Sequence, residues 1–152
     1  MIRQANLTDL ETIAKFNIQL AQETEDKVLD KQTITNGVKY LLENPQYGVY
    51  YVAVENEQVV GQVMYTFEWS DWRNGLFLWI QSVYVDKEYR NKGVFKSLYN
   101  TIKNICDTDD NIVGIRLYAE QENDVAQQAY KNLGMDKCHY DMFEYEKNKK
   151  IF

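Results

Sequence analysis

The chain has few of the residues that build special chemistry. Among its 152 residues are two cysteines, one proline and one histidine. Two cysteines, Cys106 and Cys138, give no disulfide framework, and a chain this long buries enough core to need none. With a single histidine, His139, and no metal-ligand spacing among the cysteines, no metal site is expected. Basic excess is also missing: the formal net charge is −6, which makes the chain a poor partner for nucleic acid, whose binding depends on neutralising phosphates. No apolar run approaches the roughly 20 residues that span a bilayer, so no membrane partner is expected. Met1-Ile2-Arg3-Gln4 leads straight into patterned sequence without a signal segment, and the protein reads as cytoplasmic.

What the chain does have is core material: 45% of it is hydrophobic and 14% aromatic, which describes a globular protein. One stretch organises the rest. Phe77 to Val85 is a nearly unbroken apolar run of strand length, as in a strand covered on both faces. Phe95, Leu98, Ile102, Ile105 and Cys106 then recur at helical spacing. Between them lies a polar loop containing Arg90, Lys92 and Gly93. A strand that empties through such a loop into a helix makes an anion site, because backbone N–H groups converge there and the helix dipole adds positive potential. A phosphate-bearing ligand is expected at Arg90 to Lys96.

The remaining pattern surrounds this stretch. Ile2 to Ala5 reads as a short strand. Thr8-Asp9-Leu10-Glu11 matches a capping box before a helix with Leu10, Ile13, Ala14, Leu20 and Ala21 on its apolar face. Glu23 to Asp30 reads as a solvated acidic loop, and Gln32 to Glu43 as a second helix stopped at Asn44-Pro45. Strands are expected over Tyr47–Val54, Val59–Trp69 and Phe77–Val85, then a helix from Val94 to about Thr108 and a strand over Ile112–Ala119. Asn123 to Leu133 is a further helix, with Gly134 placed to end it in a left-handed conformation. Met135 to Tyr145 supplies a last strand or pair of strands, and Lys147 to Lys150 a basic tail. The order is β-α-α-β-β-β-α-β-α-β in a single domain over 1–152: an α/β (α+β) fold with a mixed central sheet flanked by helices.

This order resembles the GNAT N-acetyltransferase superfamily, and two motifs carry the resemblance. The first is the family's Arg/Gln-x-x-Gly-x-Gly/Ala loop, here Arg90-Asn91-Lys92-Gly93-Val94-Phe95. The second is Asn-x-x-Ala-x-x-x-Tyr-x-x-x-Gly-Phe, here Asn123 through Ala126 and Tyr130 to Gly134-Met135. The resemblance implies acetyl-CoA as donor, with no metal, and a primary amine of a small molecule or peptide as acceptor. It implies that Arg90, Asn91, Lys92, Gly93, Val94 and Phe95 hold the pyrophosphate. Val83 and Val85 would offer backbone groups to the pantetheine arm, Asn123 would contact the arm, and Ala126 would leave room for it. Tyr130 takes the general-acid position, protonating the departing thiolate. A homodimer through the last strands would fit the family.

The sequence departs from the family pattern at two places. Phe95 stands where the loop ends in Gly or Ala, so its ring must point away from the phosphates. Gln81 stands where related polyamine acetyltransferases carry Glu, and glutamine is no base. Glu68, Asp71, or a water held by Gln81 and Ser82 could then take the amine's proton. Glu68, Asp71, Trp72 and Gln81 are the candidate acceptor-site residues, although the aromatic set Tyr65, Phe67, Trp69, Trp72 and Trp79 reads mainly as core. Two rivals remain. One is a non-catalytic acyl-CoA-binding or interaction module on the same fold. The other is a nucleotide-phosphate binder that uses the loop alone and leaves the second motif unexplained.

Overall fold

The structure, a computed structural model, describes residues 1–147. The expected basic tail at 147–150 lies outside them apart from Lys147. The chain divides into two compact units, Met1–Leu117 and Tyr118–Phe152.

The first unit holds a five-stranded mixed sheet and three helices. Its elements are β1 (Ile2–Gln4), α1 (Leu10–Glu25), α2 (Lys31–Glu43), β2 (Gly48–Glu55), β3 (Gln58–Ser70), β4 (Gly75–Val85), α3 (Val94–Thr108) and β5 (Ile112–Leu117). Strand order in space follows the sequence. β1 to β4 are antiparallel neighbours, and β4 pairs parallel with β5. The β2–β3 hairpin turns on Asn56 and Glu57, both with positive φ, as a two-residue turn matched to strand twist requires.

Helices cover both faces of the sheet. Ile13 of α1 and Val38 of α2 pack with Tyr50 and Val52 of β2 on one face. On the other, Gly61 of β3 lies so close to the first turn of α3 that a Cβ there would sit 3.0 Å from Val94 Cγ1. Leu78 of β4 with Leu98 and Ile102 of α3 is fully buried. That is why Phe77 to Val85 reads as continuously apolar.

Three expectations are corrected. The capping box before α1 is Asn6–Asp9, two residues earlier than Thr8–Glu11. Asp9 is drawn there by the Arg3 guanidinium, at 2.8 and 2.9 Å, and by the Asn6 amide at 2.9 Å. Second, α1 runs on to Glu25 and ends on left-handed Asp26, so Glu23 is helical. From there it bonds to Tyr84 of β4 and to Arg90, just after that strand. Third, no strand forms at 135–145 among the described residues. Strand propensity needs a pairing edge to become a strand, and this stretch pairs with none. Tyr140, Met142, Phe143 and Tyr145 are all exposed.

In the second unit, α4 (Asp124–Asn132) is the helix expected from Asn123 to Leu133. Gly134 follows at φ 90°, the left-handed stop that the sequence implied.

Candidate donor site

The site is built on a fault in β4. Gln62 of β3 pairs with Tyr84, and Met64 pairs with Gln81. One residue of β3, Val63, therefore faces two of β4, Ser82 and Val83. This is a β-bulge. Ser82 takes φ 53°, the left-handed region that usually favours glycine. Beyond the bulge the strand changes company. β4 pairs with β5 only from Leu76 to Ile80, and from Gln81 to Val85 its partner is β3. The half-buried Val83 and Val85 thus lie on a stretch paired from one side.

After β4 the chain turns through Asn91 at φ 62° and Gly93 at φ 81° into α3. Gly93 is the N-cap and supplies no side-chain acceptor. The amides of Val94, Phe95 and Lys96 open the helix without an intrahelical acceptor, which makes this end an anion seat. A cavity of about 500 Å³ joins these pieces; Val83, Val85, Asn91, Gly93, Val94, Phe95 and Lys96 line it, with Leu20 and Thr24 of α1 opposite. The residues present fit a donor with a phosphate end and an extended arm: uncapped amides for the first and a one-sided strand for the second. The Phe95 ring turns toward Tyr99, centroids 6.4 Å apart, while its backbone stays in the first turn.

Side chains hold this corner. Arg90 Nε donates to Val85 O at 2.8 Å and its Nη2 to Glu23 Oε2 at 2.7 Å. Tyr84 Oη donates to Glu23 Oε1 at 2.9 Å, and Lys87 Nζ approaches the same oxygen at 3.5 Å. Burial alone would raise the Glu23 carboxyl. Hydrogen bonds from Arg90 and Tyr84, with the charges of Arg90 and Lys87, outweigh it and hold the carboxyl below its usual range. Burial, then the bond to Glu23, pushes the Tyr84 phenol up to about 12. The Arg90 guanidinium, expected at the phosphates, is thus engaged with α1 and β4. Lys92 Nζ lies over the Tyr89 ring at 5.4 Å.

Glu23 was missed as a site residue, yet it left a signal. It falls on the stripe of Phe16 and Leu20, where a core helix should be apolar. A carboxylate there implies a cationic partner. Asn17, buried on the same helix, left the same mark.

Comparison with known proteins identifies the family. The model of the acetyltransferase (GNAT) family matches residues 10–135. The chain belongs to the GNAT acetyltransferase family. A Clostridium difficile 630 protein described as "a possible acetyltransferase" has a similar structure, with 60% sequence identity, 96% of each chain covered and a TM-score of 0.92. A "predicted acetyltransferase with acetyl-CoA" from Clostridium acetobutylicum superposes over 95% of each chain at 20% identity and a TM-score of 0.79. Glucosamine-6-phosphate N-acetyltransferase from Arabidopsis thaliana does so over 95% of this chain and 97% of its own, at 20% identity and a TM-score of 0.71. At that identity the last two speak for the fold alone. No curated protein matches the chain.

Other candidate residues lie on β3 and β4, in the turn between them, and on or at the cap of α4. Glu68, Trp79 and Gln81 share the sheet face that carries Met64 and Thr66. Glu68 accepts from Arg116 Nη1 at 2.7 Å, and Gln81 Nε2 donates to Thr66 Oγ1 at 2.7 Å. Asp71 and Trp72 lie in the β3–β4 turn, where Trp72 is 88% exposed. Trp69 is exposed too, whereas Tyr65 is core and meets Phe67 edge-on at 5.5 Å. In α4, Asn123 Oδ1 accepts from the Ala126 amide at 3.1 Å, so Asn123 is the helix cap. Tyr130 is half-buried on that helix, and burial pushes its phenol up. Among the described residues no group of His, Cys, Asp and Glu is arranged to hold a metal ion, and no helix is long and apolar enough to cross a membrane.

Proposed function

We propose that the whole chain acts as one N-acetyltransferase domain that moves an acetyl group from acetyl-CoA to a primary amine of a small molecule or peptide. Acetyl-CoA supplies the acetyl group as a thioester, an electrophile an amine can attack directly. The observation that carries this reading is the continuity of two features: the one-sided stretch Gln81–Val85 runs into the uncapped amides of Val94 to Lys96. The arm of the donor would lie along Val83 and Val85 as an added strand. Its pyrophosphate would accept from the amides of the loop and first turn, between Arg90 and Phe95. The family motif adds Asn123 and Ala126 beside the arm.

The chain's own groups divide the chemistry. The backbone N–H near Val83 polarises the acyl carbonyl as negative charge builds on its oxygen. Tyr130 holds its proton at neutral pH, as a phenol with an ordinary value near 10 does, burial raising it further, and delivers that proton to the leaving sulfur. With Gln81 engaged by Thr66 and Glu68 by Arg116, the ammonium proton leaves through water held near Gln81 and Ser82, or the amine reacts from its neutral fraction. Trp72 and Asp71 stand as acceptor contacts in the β3–β4 turn.

The test is release of CoA thiol across a panel of polyamines, amino acids, aminoglycosides and peptides. Tyr130→Phe should lower kcat about a hundredfold and leave acetyl-CoA affinity within about threefold. Unchanged kcat would remove Tyr130 from the mechanism. A second reading, a non-catalytic acyl-CoA-binding module, is favoured by those same pairings of Gln81 and Glu68. Acetyl-CoA binding by calorimetry with no CoA release from any acceptor would support it.

A further inference from the structure

The bulge in β4 is held by a polar group that the reaction does not use. Gln62 lies within β3 among Val60, Gly61 and Val63, and its side chain is fully buried. Its Nε2 donates to the carbonyl of Ser82 at 3.0 Å, while its Oε1 has no partner among the described residues. A buried amide satisfied on one side only is unfavourable compared with an apolar side chain of the same size. Stability does not explain it. Its one bond goes to the one residue of β4 with positive φ.

The grip on Ser82 is at its carbonyl, from the Gln62 side chain. A serine released from such a grip relaxes toward the extended region, because left-handed backbone is unfavourable for residues with a Cβ. Relaxation would remove the extra residue of the bulge and reverse the facing of Val83 to Val85.

We propose that Gln62 is a positioning residue for the acetyl-CoA arm, clamping Ser82 in the left-handed bulge that sets the Val83–Val85 backbone. The proposal rests on the donor reading above. Its logic is tested by glycine, which occupies φ near 53° without a Cβ penalty. Where residue 82 is already content in the bulge, the clamp has nothing left to do.

The experiment is a double-mutant cycle on the full chain: wild type, Gln62→Met, Ser82→Gly and both together, with acetyl-CoA titrated by calorimetry and folding followed by thermal melts. Gln62→Met alone should raise the acetyl-CoA Kd about tenfold, the order set by a strained residue losing its restraint. In the Ser82→Gly background the same change should move Kd by less than about twofold. Equal losses in both backgrounds, or no loss in either, would overturn the clamp while leaving the donor reading intact. A wild type that does not bind acetyl-CoA overturns both. If Gln62→Met shows no cooperative melt, Gln62→Leu takes its place in the same cycle with the same expected pattern.

Discussion

The two halves of β4 contrast within eleven residues. From Leu76 to Ile80 the strand has neighbours on both sides, and Leu78 is wholly buried. From Gln81 to Val85 it pairs on one side, bulges at Ser82, and depends on side chains that reach it from α1 and β3. The first half is secured by burial and ladder bonds, so any apolar residue of the right shape serves it. In the second half, position is set by named polar contacts: Gln62 to Ser82 O, Tyr84 to Glu23, Arg90 to Val85 O. Strand pairing makes the scaffold, and withholding it on one side leaves backbone groups available to a ligand.

The largest expected effect lies in the first half. Leu78→Ala removes a fully buried side chain and should cost about 3 kcal/mol in urea unfolding. The protein that remains folded should bind acetyl-CoA with unchanged affinity. A large loss of affinity in the folded protein would break the division between the halves.

Glu23→Gln addresses the second half and should cost less, about 0.5–1 kcal/mol at neutral pH, since Arg90 is 39% exposed and water screens the pair. The pH dependence has a definite sign. Glu23 is held below its ordinary value of 4.5 in the folded chain. Its stabilisation is therefore complete above that value and is lost as pH falls through the lower, folded one. Urea melts between pH 3 and 6 should show wild type losing this increment on acidification and Glu23→Gln lacking it. Parallel curves would mean that Glu23 does not hold the corner.

The same contrast explains what was legible beforehand. The element order through β5, the α3 boundaries and the helix that follows Asn123 come from periodicity, which is local. The loop from Arg90 to Phe95 was legible because strand, glycine and helix succeed one another there. The bulge was not: Ser82 carries no local sign of positive φ, and its restraint comes from Gln62, distant in sequence. Glu23 and Asn17 were readable as polar residues on an apolar stripe, but their partners were not. Met135 to Tyr145 reads as strand because propensity is local, whereas pairing is not.

The central claim is that the one-sided stretch of β4 and the first turn of α3 together receive the donor. Amide hydrogen exchange, with and without saturating acetyl-CoA, tests it most directly. The account predicts new protection at Val83, Val85 and the amides from Gly93 to Lys96, with Leu76 to Ile80 unchanged. Protection confined to other segments, or none on these amides while acetyl-CoA is bound, would contradict it.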